Sequence, residues 1–272
     1  MSNFISLIFR YINEKFILLM RYFIEISYKG TAYAGWQIQK NALSVQEVIE
    51  KALSVSLREP ISIVGSGRTD TGVHALQQFA HFDYASPLSS QILKNWNALL
   101  PKDITICGLY QVSQKAHSRF DAISRTYQYR IVQNKNSFLQ DLALYFPYKL
   151  NVEIIQEASR LLLNYEDFES FSKIKANTPH FKCKIYEAFW QVQKDLVSGK
   201  DVLVFQISAN RFLWGMVRAI VGTLLEVGQG KMSLSDFEQI IQARNRSKAS
   251  AAAPACGLYL ASVKYPFILS ST

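Results

Sequence analysis

Between Arg211 and Glu226 the chain carries a single charge, Arg218, in a stretch otherwise made of apolar and small residues. The spacing predicts a helix over residues 212–227. A helix that is apolar on almost every side has to be surrounded by the rest of the chain. Arg218 then has two readings. It either lies along the helix and reaches water at its tip, or it is buried and needs an anionic partner, since an unpaired buried cation is expensive. The helix pattern supports both equally.

The neighbouring patterns supply the layers such a helix requires. Residues 22–28 alternate as a strand, and residues 41–57 read as a helix with Ser44 as N-cap and Glu47 three positions on. Val45, Val48, Ile49, Ala52, Leu53 and Ser56 form its inward face. Strands are predicted at 61–64 and 77–82, a helix over 89–100 stopped by Pro101, and a strand over 104–112. The later chain has similar parts: a strand at 126–134, a helix at 152–163, and a hairpin of 184–194 with 201–209 around Ser198-Gly199-Lys200. The long helix follows, then a helix at 234–243 and a strand at 258–263. The fold class is therefore α+β, in two halves of similar order, 20–118 and 119–272, whose antiparallel sheets would face a common cleft.

Nearly half of the 272 residues are apolar, which excludes wholesale disorder, and Lys plus Arg exceed Asp plus Glu by nine. A surplus of that size suits a polyanionic partner but says nothing about sequence recognition. The three cysteines, Cys107, Cys183 and Cys256, are odd in number and far apart, which argues against a disulfide framework and for a reducing cytoplasm. The four histidines show no ligand spacing, so no metal site is expected. Residues 1–19 are rich in Phe, Ile and Leu but interrupted by Arg10, Glu14 and Lys15. No uncharged run reaches the roughly 18 residues of a membrane span, and the features of a signal peptide are missing. This extension is expected either to precede the true start at Met20 or to act as an amphipathic contact.

Between the strands predicted at 61–64 and 77–82 lies Gly65-Ser66-Gly67-Arg68-Thr69-Asp70-Thr71-Gly72-Val73-His74-Ala75. A phosphate loop would need a lysine after Gly72, and a dinucleotide fingerprint would need glycine where Asp70 stands. Instead the segment from Gly67 to Ala75 resembles the catalytic loop of the tRNA pseudouridine synthase A family. The resemblance extends in order through Tyr28-Lys29-Gly30-Thr31-Ala32-Tyr33-Ala34-Gly35-Trp36-Gln37, Arg119-Phe120-Asp121-Ala122 and Arg125-Thr126-Tyr127-Gln128-Tyr129. It continues through Phe212-Leu213, Met216-Val217-Arg218, Ile220-Val221-Gly222 and Gly257-Leu258-Tyr259-Leu260. It covers residues 20–266.

This likeness implies two ferredoxin-like halves around a central cleft and a cofactor-free isomerase. The enzyme would turn uridine into pseudouridine on the 3′ side of tRNA anticodon stem-loops, and would work as a homodimer with no membrane partner. It implies that Asp70 is the nucleophile, held by Arg68 and Arg218, and that Tyr127 and Leu258 sandwich the target base. By pattern alone Tyr127 is one of fourteen tyrosines and reads as half-buried packing, and Leu258 reads equally well as strand core. The competing carboxylates, Asp121 beside Arg119 and Arg125, and Asp83 after a strand, read as an ion-pair member and an edge residue. Lys173, Lys175, Lys182 and Lys184 form one basic cluster, and Arg244, Arg246 and Lys248 another. With Arg21, Lys29 and Arg119 they are candidates for RNA backbone contacts, although charge runs are commonly solvated faces. Three positions depart from the family pattern: Trp214-Gly215 where polar or basic residues are expected, Ala219 after Arg218, and Ala34 before Gly35. Two other functions compete with the isomerase: an RNA-binding protein without chemistry, and a hydrolase that frees uracil.

Overall fold

Strand β1 (Met20–Tyr28) takes its place because alternate residues Tyr22, Ile24, Ile26 and Tyr28 are buried on one face while Phe23 is covered on the other. The computed structural model describes residues 19–174, 178–267 and 269; residues 1–18 of the N-terminal extension and Lys175 lie outside them. The elements that follow β1 are α1 (Val45–Leu57), β2 (Val64–Gly65), β3 (His74–Tyr84), α2 (Ile92–Leu99) and β4 (Ile104–Val112). Then come β5 (Ser124–Val132), β6 (Leu144–Tyr145), α3 (Val152–Leu161), β7 (Ile185–Lys194) and β8 (Asp201–Ala209). The chain closes with α4 (Met216–Gly228), α5 (Leu234–Gln242) and β9 (Leu258–Lys264).

Helix α1 starts at Val45, four residues later than the pattern predicts, because the Ser44 side chain accepts the Glu47 amide at 3.2 Å and ends the extended chain there. The long helix also begins late. Residues 213–216 close a turn through Met216 N–H to Leu213 O at 3.2 Å, and α4 runs on from it. Of its residues only Arg218 and Glu226 are not buried, in keeping with its sequence.

Among the described residues the strands join into one open, mostly antiparallel sheet in the order β4-β1-β3-β9-β5-β8-β7, with β2 added beside β3 and β6 beside β5. With the two-residue β6 left out, each half of the chain repeats one arrangement: its last strand, first strand, third strand and second strand lie side by side. The outer edge of β3 is shared. Its C-terminal end pairs with β2, through Val64 opposite His81, and its N-terminal end pairs in parallel with β9, through His74 opposite Tyr259 and Ala75 opposite Leu260. The loop carrying Asp70 leaves this edge at the point where the two halves meet. Two cores result. One gathers Tyr22, Trp36, Ile49, Phe82 and Trp96; the other gathers Tyr129, Phe168, Phe205, Ile220 and Phe237; Tyr127 packs against both.

Polar groups fasten the seam. The Gly30 amide donates to His74 Nδ1 at 3.0 Å, which leaves Nε2–H to donate to Cys256 O at 3.1 Å, while the His74 ring stacks on Tyr259. His81 is buried beside Ser118: their Nδ1 and Oγ atoms lie 2.8 Å apart, and the hydroxyl donates onward to Val64 O at 2.6 Å. Burial, followed by the nearby Arg21 and His117, drives the His81 imidazole down to about 4, against weaker opposition from Asp83 and Asp121. A folded-state value below the ordinary 6.5 means that the unfolded chain takes up the proton first. Stability is therefore whole above pH 6.5 and is lost as the pH falls toward 4. Urea denaturation of wild type and His81→Asn across that window should show a fall in unfolding free energy steeper in wild type by on the order of 2–3 kcal/mol.

Candidate active site

The Asp70 loop is fixed from both sides of the strand that follows it. Ser66 N–H donates to Phe79 O at 2.7 Å, and its hydroxyl to Gln78 Oε1 at 2.8 Å. Gln78 in turn holds Gly67 O at 2.9 Å. The buried Thr69 shares a 2.8 Å hydrogen bond with the Tyr28 hydroxyl, and its carbonyl accepts the Trp36 amide at 3.1 Å. A turn closes through Val73 N–H to Asp70 O at 3.1 Å, and Gly72 N–H reaches Tyr33 O at 3.3 Å. The segment around Gly35 thus forms a wall behind the loop. Gly35 has φ +86°, and a Cβ there would stand 2.3 Å from Thr69 O, so no other residue fits without moving the loop.

With its backbone so held, Asp70 projects its carboxylate across the seam, where the second half meets it. Trp214 Nε1–H donates to Oδ1 at 2.6 Å. Arg218 Nη1 pairs with Oδ2 at 3.4 Å. Both partners come from the start of α4 and the turn before it. Arg218 is itself anchored: its Nε donates to Ala253 O at 2.7 Å, and the Ala253 amide returns a bond to Arg218 O at 2.9 Å. Gly222 makes that approach possible, because a Cβ there would lie 2.0 Å from Ala251 O. Of the two readings open to Arg218, the partnered one matches the structure; its side chain keeps about a quarter of its surface exposed, as does that of Asp70.

Tyr127 lies on β5 between Ile207 of β8 and Leu260 of β9. Its ring meets that of Phe212 edge-on at 5.0 Å and 87°. Burial pushes its hydroxyl up to about 12, with Arg125 pulling it down and the Asp70 charge pushing it further up. The phenol therefore stays neutral in ordinary conditions. Leu258, opposite Tyr129, is buried in the second core.

Not every expected residue joins this group. Arg68 is exposed and forms no hydrogen bond or ion pair with any described residue, so among those residues the guanidinium at Asp70 is that of Arg218. Lys173, Lys182 and Lys184 are exposed; the Lys173 ammonium lies 3.8 Å from the centre of the Trp214 ring. Arg244 pairs with Asp167 at 3.2 Å, and Arg246 donates to Ala249 O at 3.0 Å. Arg21 is spent on a two-pronged pair with Asp83, both contacts 2.7 Å, so Asp83 is an ion-pair member and not merely an edge residue. Asp121 makes no ion pair among the described residues and accepts the His117 amide at 2.8 Å. Arg125 takes only carbonyl partners, Ser66, Arg119, Ala122 and Asn210. Its role as a clamp joining the Asp70 loop to the second half was hidden in the sequence, because its acceptors are backbone atoms. Trp214 was missed for another reason. It was visible as a departure from the expected pattern, but nothing in the sequence aimed its N–H at Asp70.

A carboxylate of one half gripped by an arginine and an indole of the other comes here in a chain whose sequence places it among the pseudouridine synthases. The family model described as tRNA pseudouridine synthase matches residues 158–266. The chain is 46% identical over 250 residues to the tRNA pseudouridine synthase A of Bacteroides fragilis, covering 91% of this chain and 97% of that one. It is 45% identical over 251 residues to the Porphyromonas gingivalis protein of the same name, covering 91% and 98%. The Bacillus licheniformis counterpart is 41% identical over 254 residues, covering 90% and 99%. The chain belongs to the tRNA pseudouridine synthase A family.

The wall behind the loop can be tested by itself. Gly35→Ala should lower the unfolding free energy by roughly 2 kcal/mol or more, from left-handed strain plus the clash with Thr69 O. Urea denaturation followed by circular dichroism reads the loss directly.

Proposed function

We propose that this chain is an isomerase that converts uridine to pseudouridine in tRNA, on the 3′ side of the anticodon stem-loop, with Asp70 as nucleophile. In this reading the two repeated strand arrangements are ferredoxin-like halves, 20–118 and 119–272, and the seam between them is the floor of the catalytic cleft. The observation that carries it is the carboxylate of Asp70, offered by one half and held by Arg218 from the other.

The reaction breaks the bond between uracil N1 and ribose C1′ and forms one between C5 and C1′. The hydrogen on C5 leaves as a proton and N1 gains one, so no electrons are exchanged with an outside partner. As the base departs, C1′ becomes electron-poor, and a carboxylate on one side captures or stabilises it. The target nucleotide must leave its stack to reach such a group. Tyr127 offers it a flat apolar surface, and stacking of this kind is worth ~1–3 kcal/mol per base. Leu258 would close the pocket from β9. Arg68, free and exposed on the same loop, remains available to the RNA.

Lys173, Lys182 and Lys184 would meet phosphates, which fix position without reading sequence; Arg246 is assigned the same part, with Lys175 grouped on sequence alone, whereas Arg244 is held by Asp167. A homodimer in the cytoplasm is the assembly this reading favours. No helix among the described residues is long and apolar enough to cross a membrane.

With tRNA tritiated at uridine C5, wild type should release tritium and no free uracil. Free uracil would make the chain a hydrolase. Asp70→Asn should lower release by roughly 10³-fold or more while still binding tRNA; equal behaviour of the two would make it a binding protein. Tyr127→Phe should keep most of the rate, whereas Tyr127→Ala should weaken it by roughly tenfold or more in kcat/KM, the loss of a stacking surface.

A further inference from the structure

Among the described residues two groups touch the Asp70 carboxylate, and they do so unequally. Arg218 sits at 3.4 Å, the long end for an ion pair, and its guanidinium is tied by Nε to Ala253 O, so it cannot follow the carboxylate. Trp214 sits at 2.6 Å, the distance of a charge-assisted hydrogen bond. An indole has one N–H, in the plane of a rigid ring, and no acceptor. It can therefore fix one oxygen and the plane of the carboxylate without competing for the other. Lys173 holds the residue at two points: its ammonium lies over the face of the ring at 3.8 Å, and its backbone N–H donates to the Trp214 main-chain carbonyl at 2.8 Å. About half of the Trp214 surface is exposed, so this ring is no core residue whose burial explains its place.

We propose that Trp214 is a positioning residue for Asp70: its N–H locks Oδ1, so that the carboxylate presents one fixed edge to the ribose carbon. This rests on the isomerase reading and adds to it the group that sets the nucleophile's orientation. A carboxylate free to rotate would meet C1′ in the right attitude for only part of the time, and misplacement of a reacting group is felt in the chemical step.

The test uses the full chain under single-turnover conditions with C5-tritiated tRNA, reading the maximal rate and the half-saturating concentration separately. Trp214→Phe keeps a ring for Lys173 and removes only the donor. Trp214→Gln places an amide N–H the same number of bonds from Cα. The Phe variant should lose about tenfold in maximal rate, about 1.4 kcal/mol, with half-saturation unchanged within about twofold. The Gln variant should regain at least about a third of the loss on a logarithmic scale. In nitrogen-labelled protein without RNA, the Trp214 indole resonance should move upfield in Asp70→Asn. A Phe variant as fast as wild type, or faster, overturns the proposal, as does a loss confined to half-saturation or a Gln variant no better than Phe. An indole resonance indifferent to Asp70→Asn overturns it as well. Should wild type release no tritium, the isomerase reading falls and takes the catalytic role with it, while the resonance alone judges the contact.

Discussion

The structure depends on a contact across a boundary. Asp70 and Arg218 are far apart in sequence, lie in different halves of the chain, and meet where β3 and β9 run side by side. Removing either charge from water is costly unless the other is near, so the pairing ties the placement of the loop to that of α4. The rest of the seam serves this registration. Arg125 gathers carbonyls from both sides, His74 joins the turn at Gly30 to the chain before β9, and Tyr127 packs against both cores. The hydrogen bonds among them are directional, and with the packing they define where an oxygen stands relative to a tyrosine ring.

Much of this was legible in the amino-acid sequence, for reasons that can be named. The apolar character of residues 212–227 forced a surrounded helix, and Arg218 within it demanded an explanation. Ser44 and Glu47 marked the start of α1, although residues 41–43 stayed extended because the cap, not the apolar pattern, decides where a helix begins. Strand β4 ran as its alternation predicts. The single continuous sheet did not show itself, since a two-residue parallel pairing between β3 and β9 leaves no periodic trace in either strand.

The site divides along the same line. Asp70 could be singled out because glycines and an arginine crowd around it in a recognisable order, and Tyr127 because its segment has a matching order. Partners that act through backbone atoms were invisible, as with the four carbonyls of Arg125. The basic residues were the least readable. Arg21 and Arg244 turned out to be occupied by Asp83 and Asp167, while Arg68 stayed free, and a count of charges cannot tell a spent cation from an available one.

The position of β9 has a consequence for the order in which the molecule comes into being. Strand β9, the last among the described residues, lies in the middle of the sheet, and the carbonyl that anchors Arg218 comes just before it, at Ala253. A chain still emerging from the ribosome can lay down β1, β3 and the Asp70 loop early, yet the seam lacks the partners of that loop until α4, Ala253 and β9 have been made. The nascent protein thus holds the carboxylate before it holds the groups that grip it, and the two come together only after β9 has emerged.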